Sequence, residues 1–142
     1  MEKNSITDWY ADMVDFHKEV MKDRFLEYPH IPEKKYVDLR KAIVSEEIKE
    51  TFEAMDSGDM IEIADGIVDS IVVLIGTAIT YGIDIRPIWK EIHKTNMAKK
   101  DGPIREDGKK LKPEGWKPPD VASILKEQGW WFEQLYATGT RS

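Results

Sequence analysis

The stretch from Gly66 to Ile79 most constrains the fold, because it is apolar on almost every side and its one charged residue is Asp69. It lacks the ~20 consecutive apolar residues that a membrane-spanning helix needs, so we interpret it as a buried helix and expect no membrane partner. A helix that is apolar all round must be covered all round. One small bundle can hardly provide that cover, and we therefore expect a homodimer or homotetramer.

Charge and cysteine content narrow the possible partners and location. The 142-residue chain fits one domain. Its net charge of −6 argues against a nucleic-acid partner. An acidic protein still binds phosphates when metal ions stand between the negative partners. The chain has no cysteine, which excludes disulfides and thiolate metal sites and favours a cytoplasmic location.

Apolar spacing and helix breakers predict an all-α chain, with four helices followed by a polar arm. The predicted helices run from Ser5 or Thr7 to Leu26, Glu33 to Asp56, Met60 to Tyr81, and Asp84 or Pro87 to Met97 or Lys99. The short turn at Gly58 makes the second and third helices antiparallel neighbours. We expect an antiparallel four-helix bundle over residues 1–99.

The arm and tail occupy residues 100–142 of the same domain. Seven glycines and prolines between residues 100 and 120 predict a long loop, which is either a functional lid or disordered. A last amphipathic helix is expected from Val121 to Tyr136. Its aromatic cluster would be costly to expose and should pack on something: Trp130, Trp131 and Phe132.

Acidic side chains form a stripe on each of the second and third helices. The helical spacings of three and four group them on one side of each helix: Glu46, Glu47 and Glu50, then Glu62, Asp65 and Asp69. Counted from Gly58, Glu47 is eleven residues back and Asp69 is eleven forward. In an antiparallel pair the two stripes can therefore face each other.

Facing carboxylates repel and raise each other's pKa values, and a divalent cation removes that conflict. Magnesium prefers oxygen ligands and commonly also binds substrate phosphates. The alternative is that the glutamates from Glu46 to Glu50 form an ordinary solvated helix face. Asp69 favours metal binding, because it lies within an apolar helix where an acid is rarely left unpaired.

These motifs resemble the all-α NTP pyrophosphatases, the MazG-like superfamily, over about residues 10–128. That superfamily includes dimeric dUTPases, dCTPases and phosphoribosyl-ATP pyrophosphohydrolase. The similar segments are Glu46-Glu47-x-x-Glu50, Glu62-x-x-Asp65, Asp65-Gly-Ile-Val-Asp69, Tyr81-Gly-Ile-Asp84, His93-Lys-Thr-Asn96-Met-Ala-Lys99, and the arm from Arg105 to Asp120.

The resemblance implies magnesium-dependent cleavage of a nucleoside triphosphate between its α and β phosphates, with release of pyrophosphate. It implies that four acids are metal ligands: Glu47, Glu50, Glu62 and Asp65. Manganese could substitute. Glu46 would orient or deprotonate the attacking water or join a second metal, with Glu47 as the other catalytic carboxylate. Asp69 would be an extra ligand or support the others.

The same resemblance suggests substrate contacts outside the acids. Asn96 and Lys99 would contact phosphate or sugar, although without the family they are ordinary helix-end residues. Phe16 and His17 would contact the base, the alternative being a core Phe and a surface His.

The arm is a candidate lid through Lys109, Lys112 and Trp116. It would close over the triphosphate or clasp a neighbouring subunit. The alternative is a flexible, solvated loop.

Three functions are carried forward. The leading one is hydrolysis of dUTP, dCTP or non-standard dNTPs in nucleotide-pool house-cleaning. The second is phosphoribosyl-ATP pyrophosphohydrolase activity. The third is a non-catalytic acidic helical adaptor.

Overall fold

A computed structural model describes residues 7–130, and this part of the chain contains five helices and no strand. The helices are α1 (Trp9–Glu19), α2 (Lys34–Ser57), α3 (Met60–Thr80), α4 (Ile85–Met97) and α5 (Val121–Glu127). The predicted all-α class is confirmed. The chain divides into two compact units, one ending at Ile83 and the other beginning at Asp84. The four-helix bundle and the predicted division at residue 99 stay predictions.

The first helix is shorter than predicted, since it ends at Glu19 and not at Leu26. Its N-cap is Asp8, whose side chain accepts a hydrogen bond from the Ala11 amide at 2.9 Å. The helix therefore begins two residues after the predicted start at Thr7, and Ser5 lies outside the described residues. The chain turns back at Lys22, which has a left-handed φ of 56°. Apolar residues continue at helical spacing beyond this turn in the sequence, so periodicity alone overestimated the length of the helix.

The second and third helices form the predicted antiparallel hairpin. Gly58 ends α2 with a left-handed φ of 72°, which favours glycine. The side chain of Asp59 accepts hydrogen bonds from the amides of Ile61 and Glu62 and so begins α3. These two helices pack against each other, so the acidic segments of both belong to one hairpin.

Glycines let the elements of the first unit approach closely. A Cβ on Gly66 would lie 2.6 Å from Thr51 Oγ1 of α2, and a Cβ on Gly76 would lie 2.9 Å from His17 Nε2 of α1. Gly82 has a φ of 70° and packs against the carbonyl of Tyr28. Gly76 therefore permits close packing of α3 on α1, and Gly82 permits the chain reversal after α3.

The apolar core of the first unit is small, and much apolar surface remains exposed. The buried apolar side chains are Met13, Ala54, Ile75 and Ile79. Large exposed ones on α2 and α3 include Tyr36, Leu39, Phe52, Met55, Ile61, Ile67, Val68 and Leu74. By length and hydropathy α3, with 21 residues, would suffice to cross a membrane, and 22% of its most apolar window is buried within the described chain. The expectation that this helix is buried is therefore not met within a single chain.

The second unit contains α4, the arm and α5. Asp84 caps α4 through a hydrogen bond from the Arg86 amide, so the helix begins at the earlier of the two predicted starts. The Gln128 side chain binds the backbone amide and carbonyl of Asp84, at 3.0 and 2.9 Å, and ties the end of α5 to the start of α4.

The predicted last helix is interrupted, because α5 ends at Glu127 and Gly129 adopts a left-handed φ of 103°. Trp130 is half-buried, while Trp131, Phe132 and the chain to Tyr136 lie outside the described residues.

Candidate active site

The geometry of the acidic region is determined by a close contact between α2 and α3. Thr51 Oγ1 donates to the Glu47 carbonyl at 2.7 Å and lies 3.1 Å from Ser70 Oγ. Ser70 in turn donates to the Gly66 carbonyl at 2.8 Å. Glu47 precedes Thr51 by one helical turn, and Asp69 is adjacent to Ser70. The two acids therefore flank this contact, one on each helix.

The acids of the two helices act on one another. Glu47 and Asp69 are half-buried, whereas Glu46, Glu50 and Asp65 are exposed. Desolvation raises the pKa of Glu47, and the negative charges of Glu50, Asp69, Glu46 and Asp65 raise it further. Desolvation also raises the pKa of Asp69, followed by the charge of Asp65 and a side-chain hydrogen bond with it. Acids of α2 and α3 thus belong to one electrostatic group.

Glu62 stands apart from this group. It is an exposed residue in the first turn of α3, and its charge is not among those that raise the pKa of Glu47.

The donor chemistry of this region fits a hard divalent cation. All donors are carboxylate oxygens, and their repulsion is of the kind that a cation relieves. Within residues 7–130, no three Asp, Glu or His side chains are grouped closely enough to enclose a metal ion. Magnesium does not need a complete protein cage, since it retains waters and uses one or two carboxylates together with phosphates. The four named ligands stay predictions.

The two predicted base contacts on α1 differ in their environments. Phe16 is exposed, with 40% of its surface accessible. His17 is buried, and its Nδ1 lies 2.7 Å from Asp23 Oδ2. Its Nε2 faces Gly76 of α3. Phe16 is available for stacking, whereas His17 is engaged inside the unit, and base binding by either stays a prediction.

Arg40 is a polar residue of this unit that the sequence analysis missed. Its Nε donates to Thr77 Oγ1 at 3.1 Å and its Nη2 donates to the Val73 carbonyl at 2.6 Å. Desolvation lowers its pKa, while the charge of Asp23 raises it. The spacing of residues could have identified Arg40 as a candidate. Arg40 is seven residues before Glu47, so the two side chains share one face of α2.

In the second unit, the structure brings together four residues that the sequence suggested separately. Lys99 Nζ donates to Asn96 Oδ1 at 3.0 Å and lies 5.2 Å from the centre of the Trp116 ring. Lys112 Nζ lies 4.7 Å from the same ring. The side chain of Lys109 makes no hydrogen bond or ring contact with these residues, and it is exposed on the turn that follows Asp107.

The sequence of the chain also matches a known protein family. The sequence model described as phosphoribosyl-ATP pyrophosphohydrolase matches residues 13–96. The chain belongs to this family. No curated protein matches it in a direct search.

Membership in the phosphoribosyl-ATP pyrophosphohydrolase family makes the chain a pyrophosphohydrolase, a hydrolase that acts on phosphoric anhydrides. This agrees with the predicted resemblance and favours the enzyme over the adaptor. The matched region contains all six acids together with Phe16, His17 and Asn96. It ends before Lys99, Lys112 and Trp116, so the proposed roles of these residues are supported only by the structure and the resemblance.

Proposed function

We propose that this pyrophosphohydrolase is magnesium-dependent and cleaves a nucleoside triphosphate between its α and β phosphates, releasing the monophosphate and pyrophosphate. The observation that carries the proposal is the packing of α2 on α3 where Thr51 Oγ1 lies 3.1 Å from Ser70 Oγ, which brings Glu47 and Asp69 into one acidic group. Desolvation, followed by the charges of Glu50, Asp69, Glu46 and Asp65, raises the pKa of Glu47. Repulsion between ionised carboxylates costs free energy in the folded chain, and a bound divalent cation would offset it.

Each acid has a proposed role. Four of them would hold Mg²⁺, or Mn²⁺ in its place: Glu47, Glu50, Glu62 and Asp65. When bound, the ion supplies positive charge opposite the phosphate oxygens. Glu46 is exposed beside Glu47 and would orient the attacking water and accept its proton. Asp69 would hold Asp65 in position, which the mutual influence of the two acids supports, since Asp65 contributes to the raised pKa of Asp69.

The leading substrates are dUTP, dCTP or non-standard dNTPs, in a house-cleaning role. The exposed Phe16 ring supports stacking on a base, and Lys99, bonded to Asn96, supports contact with phosphate or sugar. Phosphoribosyl-ATP is a second candidate, which the description of the matching family favours. Both candidates contain the same α–β anhydride, so one group of acids would serve either.

We also propose a homodimer or homotetramer in the cytoplasm. The exposed apolar side chains of α2 and α3 are too many for a stable isolated surface, and a second copy would cover them. The absence of cysteine fits a reducing compartment.

The decisive experiment is a substrate panel read by pyrophosphate release. Purified protein is mixed with Mg²⁺ and each of the NTPs, dNTPs and phosphoribosyl-ATP. We expect Glu47→Gln and Glu50→Gln to abolish release while the circular dichroism spectrum is unchanged. Glu53→Gln is the matched control, because Glu53 is an exposed acid of α2 that pairs with Lys49 at 3.9 Å. Turnover retained in both active-site variants, or no release from any substrate, would overturn the proposal.

A further inference from the structure

The exposed ring of Phe16 lies against the buried ring of its neighbour His17. The two ring centres are 5.9 Å apart and the ring planes meet at 79°, which is an edge-to-face arrangement. Phe16 has 40% of its surface accessible, whereas His17 has 4%. A partly exposed aromatic ring that rests on a buried one is suited to stacking on a planar ligand. The orientation of Phe16 therefore depends on what fixes His17.

The ring of His17 is held on both of its nitrogen-bearing edges. Its Nδ1 lies 2.7 Å from Asp23 Oδ2. An ionised carboxylate only accepts hydrogen bonds, so Nδ1 carries a proton and is the donor. Nε2 faces α3 at Gly76, where an added Cβ would lie 2.9 Å from it and 2.7 Å from Arg40 Nη2. The imidazole is thus enclosed between Asp23 on one edge and α3, together with Arg40, on the other.

Asp23 reaches His17 because the chain turns back directly after α1. Lys22 forms this turn with a left-handed φ of 56°, which residues other than glycine rarely adopt. The Asp23 amide then donates to the His17 carbonyl at 2.9 Å, so Asp23 binds both the backbone and the ring of His17. The charge of Asp23 also acts on Arg40 of α2. These interactions offset the unfavourable backbone conformation at Lys22.

The bond between Asp23 and His17 differs from an ordinary surface ion pair. Asp38, for example, pairs with Lys34 at 2.6 Å, and both of those side chains are exposed on α2. Water screens such pairs, and each contributes little to stability. Asp23 instead binds a buried ring, whose rotation would break the bond. It therefore controls the orientation of His17 and, through the edge-to-face contact, that of Phe16.

We propose that Asp23 is a positioning residue for nucleobase recognition, because it fixes the His17 ring on which Phe16 rests. In this arrangement His17 supports Phe16 and does not itself contact the base. The inference rests on the proposed function, in which Phe16 stacks on the base of the substrate. The part of the ligand concerned is the flat face of the base, since every nucleobase offers one for stacking.

The test is steady-state kinetics of the full chain with Mg²⁺ and the substrate that the native chain hydrolyses fastest among dUTP, dCTP and phosphoribosyl-ATP. We expect Asp23→Ala to raise KM about fivefold and to change kcat less than about twofold, because a weakened stacking contact costs binding and leaves the acids intact. Asp38→Ala is the matched control, since it removes the same side chain from an exposed position of α2. Its KM should change less than about twofold.

Three further measurements separate positioning from general damage to the fold. Inorganic tripolyphosphate has no base, so its inhibition constant as a competitor should be the same in Asp23→Ala as in the native chain. The double variant Asp23→Ala/Phe16→Ala should have the KM of Phe16→Ala to within about twofold, because Asp23 acts through that ring. The milder Asp23→Asn keeps the backbone bond and a neutral acceptor, and it should raise KM by about twofold to threefold.

Three results would overturn the inference: an unchanged KM in Asp23→Ala, a loss of tripolyphosphate inhibition as large as the rise in KM, or additive effects in the double variant. Turnover by the native chain together with an unchanged KM in Asp23→Ala would remove only the role of Asp23 and leave the proposed function in place. Absence of turnover with every substrate would remove both.

Discussion

Gly66 lies where α2 and α3 approach closely, and alanine at this position would force the two helices apart. The added Cβ would lie 2.6 Å from Thr51 Oγ1 and 3.1 Å from Thr51 Cα. The second contact is with the backbone of α2, which cannot rotate away as a side chain can. Because Glu47 and Asp69 flank this contact, the substitution should also change the spacing of the acids.

The magnitude follows from two opposing effects. Overpacking of a tight contact costs about 1–3 kcal/mol, and the contact with the Thr51 backbone puts this site in the upper part of that range, at about 2–3 kcal/mol. Alanine is more favourable than glycine inside a helix by about 1 kcal/mol. We expect a net loss of about 1–2 kcal/mol in the free energy of unfolding for Gly66→Ala, which lowers Tm by about 3–8 °C in a chain of this size.

The assay is thermal unfolding by circular dichroism at one protein concentration, with and without Mg²⁺. Gly76→Ala is the control, because its Cβ would meet side-chain atoms and not the backbone of a neighbouring helix, 2.7 Å from Arg40 Nη2 and 2.9 Å from His17 Nε2. Displacing Arg40 from the Val73 carbonyl costs about 1.5–3 kcal/mol, offset by about 1 kcal/mol of helix propensity. Both variants should lose stability, and only Gly66→Ala should also lose the rise in Tm that Mg²⁺ produces.

Two results would refute this reasoning. A Tm for Gly66→Ala equal to or above that of the native chain would show that the helices do not approach as closely as described. If Gly66→Ala loses stability but responds to Mg²⁺ as Gly76→Ala does, metal binding does not depend on the spacing of the two helices.

Three further predictions address single side chains. The folded pKa of Glu47 is raised, so its contribution to stability is greatest below its unfolded pKa and is lost as pH rises through the folded pKa. Glu47→Gln should therefore raise Tm at pH 7 without metal, and an unchanged or lower Tm would contradict this. The pKa of Asp120 is lowered by its hydrogen bonds with Ser123, so its contribution is full above the unfolded value of about 3.9 and is lost as pH falls through the folded pKa. Asp120→Ala should lower Tm at pH 7 by an amount that disappears in acid, and a difference from the native chain that does not depend on pH would argue against it. Phe16→Ala should raise KM for the preferred nucleotide about tenfold, the cost of one lost stacking contact, and an unchanged KM would remove Phe16 from the site.

Local signals in the sequence were sufficient for most of the helical framework. The limits of α2 and α3 differ from the predicted ones by no more than one residue, and those of α4 agree with the earlier of the two predicted starts and ends to within one residue. These ends depend on adjacent residues such as Gly58, Asp59 and Asp84. The facing of the acidic stripes also followed from counting along the two helices on either side of Gly58. Electrostatic contact between Glu47 and Asp69 agrees with that count.

The end of α1 was not predictable in this way. The amide of Asp23 donates to the His17 carbonyl at 2.9 Å, and the Asp23 side chain binds the His17 ring. The ring itself is buried against α3 near Gly76. Burial of His17 therefore depends on a segment some sixty residues away, and periodicity within α1 has no access to it.

Sequence alone determined the all-α class, the hairpin of α2 and α3, and the acidic stripes, because each depends on spacing within one segment or across one short turn. Only the tertiary structure showed that Thr51 fits against Gly66, that Arg40 enters the contact with α3, and that Lys99 and Lys112 share the ring of Trp116. These features depend on distances between residues far apart in the chain. Spacing along a helix determines which face a side chain occupies, and packing determines what that face meets.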